Sequence, residues 1–108
     1  MLLVTTNTIE GKTIQETLGL VRGNTIRARH IGRDIMAGLR TIVGGEIKDY
    51  TVMLGQARDQ AIERMLRQAE NLGANAVVGV RFTTSQTMSG AAEILAYGTA
   101  VRVKGNTE

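Results

Sequence analysis

Residues 72–84 read Leu72-Gly-Ala-Asn-Ala-Val-Val-Gly-Val-Arg-Phe-Thr-Thr84, and the periodicity of the chain changes inside them. Upstream, Leu54, Ala57, Ala61, Met65, Ala69 and Leu72 recur at spacings of three and four, the pattern of a helix with one apolar face. Downstream, Val78, Val80 and Phe82 alternate with Val77, Gly79 and Arg81, and the β-branched content predicts a strand over 76–84. Gly73 separates the two, because glycine most readily adopts the left-handed conformation that closes a helix. The helix is expected to run for about 22 residues, or roughly 33 Å. That exceeds what one face of a small sheet needs, so its outer end is expected to meet a neighbouring subunit. Asp49 or Thr51 is expected to cap its start, and Glu63 and Arg67 stand in the favourable i,i+4 order on its exposed side.

Working outward, Thr87-Met-Ser-Gly90 reads as a turn into a last strand over 94–103. There Leu95, Tyr97, Thr99, Val101 and Val103 share a face opposite the small Ala96, Gly98 and Ala100, so both sides of this strand are expected to be covered. Before the long helix, Ile31, Ile35, Leu39 and Ile42 form an apolar stripe opposite Arg33 and Arg40, and Gly44-Gly45 can close a first helix over 31–45. Towards the N-terminus, Leu2 to Thr6 reads as a short strand and Ile9-Glu-Gly-Lys12 as a turn with Gly11 at positive φ, giving a hairpin-like start. A half-buried strand follows over 13–22 with Ile14, Leu18 and Leu20 inward, and Gly23-Asn24 is expected to bend it before further extended chain through His30. The order ββααββ predicts an α+β architecture, with an antiparallel or mixed sheet packed against helices. Residues 105–108 are expected to fray.

The bulk properties narrow the classes of function. The 108 residues suit one domain, expected over 1–108, and the aromatic share of 3% leaves an aliphatic core of small residues. Such a core buries less area per residue and favours further burial between subunits. There is no cysteine, hence no thiolate metal ligand and no thiol nucleophile. No apolar run approaches membrane-spanning length and the N-terminus does not resemble a signal peptide, so a cytoplasmic location is expected. The lone histidine stands in no local pattern with a serine and a carboxylate, no glycine-rich nucleotide fingerprint occurs, and an enzyme is not expected.

Ile31-Gly-Arg-Asp-Ile-Met-Ala-Gly-Leu-Arg40, Val43-Gly-Gly45, Leu72-Gly-Ala-Asn-Ala-Val-Val-Gly-Val80 and Tyr97-Gly-Thr-Ala-Val101, in this order, resemble the YbjQ-like family of small bacterial and archaeal proteins. The resemblance covers nearly the whole chain. It implies a dodecin-like α+β subunit in a ring-shaped homopentamer, no established activity, and a heavy-metal-binding label. Many members of the family read Gly-Glu-x-Ile-x-Gly-Ala-Asn before the first helix, where this chain has Gly23-Asn-Thr-Ile-Arg-Ala-Arg-His30. The departure removes a carboxylate and adds positive charge.

Two candidate sites follow. A divalent metal would need His30 with Asp34, or a ring of His30 side chains around a symmetry axis, since no other imidazole exists. Each of Arg27, Arg29 and Arg33 would oppose such an ion by about 4 kcal/mol at roughly 8 Å and an effective dielectric of about 20. The alternative is an anion or small acidic ligand on Arg27, Arg29, Arg33 and Arg40, which multiply around a ring into a basic collar. Both sites have plainer readings: a hydrogen-bonded His30–Asp34 pair, and arginines meeting solvent or the carboxylates Glu46, Asp49 or Glu93 of another subunit. Nucleic acid is not expected, because no stacking aromatics lie near the arginines.

Overall fold

The computed structural model describes residues 1–28, 48–88 and 91–105. They form a four-stranded mixed sheet with one helix across it: β1 (Leu2–Leu3), β2 (Lys12–Ala28), α1 (Lys48–Asn71), β3 (Ala76–Met88) and β4 (Ala91–Gly105), in the sheet order β1-β3-β4-β2. The α+β class expected from the sequence is the one found. The expected helix over 31–45 lies outside the described residues.

Helix α1 lies chiefly over β2 and β4 and barely reaches β3. Its apolar stripe is the one the spacing predicts, with Ala57, Ala61, Met65 and Ala69 fully buried and Leu54 packed beside them. Leu72, the expected end of the stripe, is instead 46% exposed. Burying a side chain such as Met65 contributes about 1.5–3 kcal/mol, and the alanines contribute by letting the helix approach closely. Asp49 and Thr51 lie within α1 and do not mark its start. The other end behaves as expected: Gly73 takes φ 83°, its N–H donates to Glu70 O at 2.9 Å, and the Ala74 N–H donates to Ala69 O at 3.0 Å. These are the paired bonds of a Schellman closure. Glu63 and Arg67 meet at 2.7 Å on the exposed side of α1, an interaction worth about 0.3–0.5 kcal/mol.

Strand β2 corrects the sequence reading twice. It does not bend at Gly23-Asn24; it continues through Ala28, paired antiparallel with β4. Gly23 is there because α1 crosses it. A Cβ at Gly23 would stand 2.8 Å from Arg64 Cβ and closer still to Ala61 O and Met65 N. The register shifts earlier, between Ile14 and Glu16 and between Thr17 and Gly19. Each shift inserts a residue and changes which side the next side chains take. Leu18 therefore leaves the face of Ile14 and Leu20: it packs against the helix-side core, while Ile14 packs in the cluster on the opposite face and Leu20, on that same face, is 68% exposed. The side of β2 that meets α1 is Val21, Gly23 and Thr25.

The same device operates in β3. Gly79 sits at φ 63° in a register shift between Val78 and Arg81, so Val80 joins the helix-side core with Val77 while Val78 and Arg81 face the other way. The expected plain alternation through Phe82 is thereby broken. Thr87 and Met88 still belong to β3 rather than to the turn. In β4 the predicted division holds, with Ala96, Gly98 and Ala100 buried towards α1 and Tyr97 on the opposite face.

The hairpin-like start is also corrected. Lys12 N–H donates to Ile9 O at 3.1 Å and Gly11 takes φ 78°, so the turn exists, but β1 pairs with β3 in parallel and not with β2. The pairing continues past β1 through Val4 N–H to Val77 O, Val80 N–H to Val4 O and Gly79 N–H to Thr6 O, at 2.8–3.0 Å. This segment lays Val4 and Ile9 over Ala76, Val78 and Val101, a second small core on the sheet face opposite α1. Arg81 pins it by donating to Thr5 O at 2.7 Å. Among the described residues no helix is long and apolar enough to cross a membrane.

Candidate functional site

Of the residues singled out for a site, Arg27 lies among the described residues; Arg29, His30, Arg33, Asp34 and Arg40 lie outside them. Arg27 continues the series Val21, Gly23, Thr25 on the side of β2 that faces α1, opposite Ala92 of β4. Its Nη2 donates to Gln60 Oε1 at 3.0 Å. Its Nε is buried and meets no acceptor among the described residues. A buried donor without an acceptor costs about 1–3 kcal/mol, so the guanidinium edge at Nε is a place where an added acceptor is favoured.

Arg27 is the end of a polar row that residue spacing alone does not reveal. Gln60, Arg64 and Gln68 are spaced one turn apart on α1, beside the buried alanine stripe, and each reaches β2. Gln60 holds Arg27, Arg64 Nη1 donates to Asn24 O at 2.6 Å, and Gln68 Oε1 accepts from the Arg22 N–H at 3.0 Å. Within the row, Thr25 is 4% exposed and its hydroxyl donates to Ala57 O at 3.0 Å. The backbone groups on the outer edge of β2 are thus partly satisfied by helix side chains, which blunts an edge that could otherwise pair with another strand. The signal in the sequence is Gln60, Arg64 and Gln68 at i, i+4 and i+8, adjoining Ala57, Ala61, Met65 and Ala69. It reads as an ordinary solvated flank until β2 is placed beside it.

The same residues offer no donor set for a metal. No three His, Cys, Asp or Glu side chains come together among the described residues. Glu63 is taken by Arg67, and Glu93 accepts from Asn24 Nδ2 at 3.2 Å. With no cysteine in the chain, the described residues do not fit a resident heavy metal.

Comparison with known proteins gives the relationship directly. A family model described as "Putative heavy-metal-binding" matches residues 1–104. A UPF0145 protein of Archaeoglobus fulgidus is 60% identical over 104 residues, covering 96% of each chain. One from Methanosarcina acetivorans is 60% identical over 103 residues, covering 95% of this chain and 97% of its own, and one from Thermosipho africanus is 55% identical over the full length of both. Among solved structures, a protein of unknown function from Pediococcus pentosaceus, assigned to the DUF74 family, superposes with a TM-score of 0.64. It is 18% identical and covers 96% of this chain and 98% of its own, a likeness of fold. The ordered blocks around Leu72 and Tyr97, the bulged mixed sheet under α1 and these whole-length matches together place the chain in the YbjQ-like, UPF0145 family.

Proposed function

We propose that this chain is the subunit of a cytoplasmic homo-oligomeric binding protein without catalytic chemistry, assembled as a ring of five, whose ligand is an anion. The observation that carries the anion is Arg27, a guanidinium already oriented by Gln60 with its buried Nε lacking an acceptor among the described residues. Arg29, Arg33 and Arg40 follow it closely in sequence and supply further cationic donors of the kind that hold phosphate or carboxylate. Assembly is supported by composition, since an aliphatic core with an aromatic share of 3% favours further burial between subunits.

Calorimetric titration with inorganic phosphate tests the ligand class. Arg27→Gln is expected to weaken binding about tenfold, near 1.4 kcal/mol, and added salt is expected to weaken it further. Equal affinity for wild type and Arg27→Gln would reject Arg27 as the site.

The family description supports a second reading, a divalent metal on His30 and Asp34 pooled between subunits. Elemental analysis after exposure to zinc, nickel or copper separates the two: stoichiometric metal that is lost in His30→Ala favours the metal, and none favours the anion.

A further inference from the structure

We infer that the groove filled by residues 2–9 is a strand-addition site for an extended, uncharged apolar segment of another protein, in which the chain's own residues 2–9 are a replaceable occupant. These residues run parallel to the start of β3. Leu2 N–H donates to Asn75 O at 3.3 Å and Val4 N–H to Val77 O at 3.0 Å, while Val4 O and Thr6 O accept from the Val80 and Gly79 N–H groups. Main-chain bonds of this kind hold an extended chain whatever its sequence, and pockets for alternate side chains supply the selection.

The occupant displays the recognition code. Successive residues of a strand project to opposite faces of the sheet, and here each face has a seat. Leu3 packs against the helix-side core, and Val4 and Ile9 pack against Ala76, Val78 and Val101 on the other face. Arg81 adds direction by donating to Thr5 O at 2.7 Å, a carbonyl that any residue at that position provides. The code is therefore two consecutive apolar residues followed by one whose carbonyl meets a guanidinium. Residues 2–9 include no charged side chain, as seats that would desolvate a charge require.

Burial marks the occupant as replaceable. Ala76, Val78 and Val101 are 0%, 6% and 1% exposed, whereas none of residues 2–9 is fully buried and Leu2 is 41% exposed. The groove depends on a cover, and the cover sinks none of its own side chains completely. It joins β2 through the turn in which Lys12 N–H donates to Ile9 O and Gly11 takes φ 78°, so it can swing out while β2 stays paired with β4. Exchange between two copies replaces one segment by an identical one and gains no contact. A different chain is the occupant that shifts the balance.

The test uses a fluorescently labelled peptide copying residues 2–9, titrated into the full-length protein and followed by anisotropy. In the wild type the tethered segment competes at an effective concentration of about millimolar, and the apparent affinity falls by the fraction of grooves left open. Val4→Ser combined with Ile9→Ser weakens the tethered segment and leaves the groove residues unchanged. This variant is expected to bind the peptide about tenfold or more tightly than the wild type. Adding Arg81→Ala is expected to remove about tenfold of that gain, because the peptide loses the bond to its own carbonyl. A peptide of the same composition in scrambled order is expected to bind neither protein. Far-ultraviolet circular dichroism checks the fold, and Val4→Ala alone, the milder change, gives the same comparison with a gain of about threefold if the double variant unfolds. A folded variant that binds the peptide no better than the wild type overturns the site, and so does equal binding of the scrambled peptide.

Discussion

The two faces of the sheet are built on opposite principles. Under α1 the contact is made by the smallest side chains available, Gly23, Ala96, Gly98 and Ala100 below and Ala57, Ala61 and Ala69 above, with Met65 and Ile94 filling what remains. On the other face the larger Leu20, Ile26 and Tyr97 stand partly in solvent. Size therefore does not identify the core in this protein. Where a helix lies directly on a strand, the favourable term is close approach over many small contacts, and any added atom is a clash. Where no described residue covers the sheet, a large apolar side chain stands partly in solvent.

The sharpest way to break this contrast is to add one methyl group at its tightest point. Gly23→Ala is expected to cost about 3 kcal/mol or more in urea unfolding, because the helix backbone must move. Gly98→Ala is expected to cost about 1–2 kcal/mol, since its Cβ would meet Val77 Cγ1 at 2.8 Å and Val78 O at 3.0 Å, and the valine can turn. Thr25→Val preserves shape but removes the buried bond to Ala57 O, and about 1 kcal/mol is expected from the same measurement. Gly55 provides the opposite sign: it lies inside α1, and a methyl group added there would meet nothing within 4 Å, so Gly55→Ala is expected to stabilise by about 0.5–1 kcal/mol. On the open face, Leu20→Thr is expected to change the stability of dilute protein by less than about 0.5 kcal/mol, with a deficit that grows as protein concentration rises. A large loss from Leu20→Thr at high dilution would mean that the open face is core after all, and the contrast would fail.

Much of this architecture can be read from residue spacing. The stripe of α1, its closure at Gly73, the strand after it and the two-faced pattern of β4 each follow from a local period that tertiary structure does not override. The errors over which face a strand residue takes share one cause. Bulges in β2 and at Gly79 shift the period by one residue; Gly19, at φ 124° beside the second shift in β2, marks its bulge as Gly79 does in β3, whereas nothing near Glu16 marks the first. Gly23 reads as a break for a related reason: a glycine that admits a helix from elsewhere in the chain has the same local signature as one that ends a strand. At the candidate site the arginine cluster is visible as composition. Its anchoring is not, because Gln60 and Arg27 are 33 residues apart in the chain and meet only once α1 lies on β2.

The pairing of β1 has a consequence for how the molecule comes together in time. Leu2 finds its partner at Ala76, so β1 remains without its hydrogen-bond ladder until β3 has formed. Closing so long a loop costs entropy that only a finished sheet can repay, which makes this segment a late arrival in folding. By the same token it can leave first. Amides of Val4 and Gly79 are expected to exchange with solvent through a local opening that leaves the α1 contact intact, well before those of β4 exchange by global unfolding. Such an opening would uncover Val78 and Val101, so the chain's first strand acts as a latch over its second core.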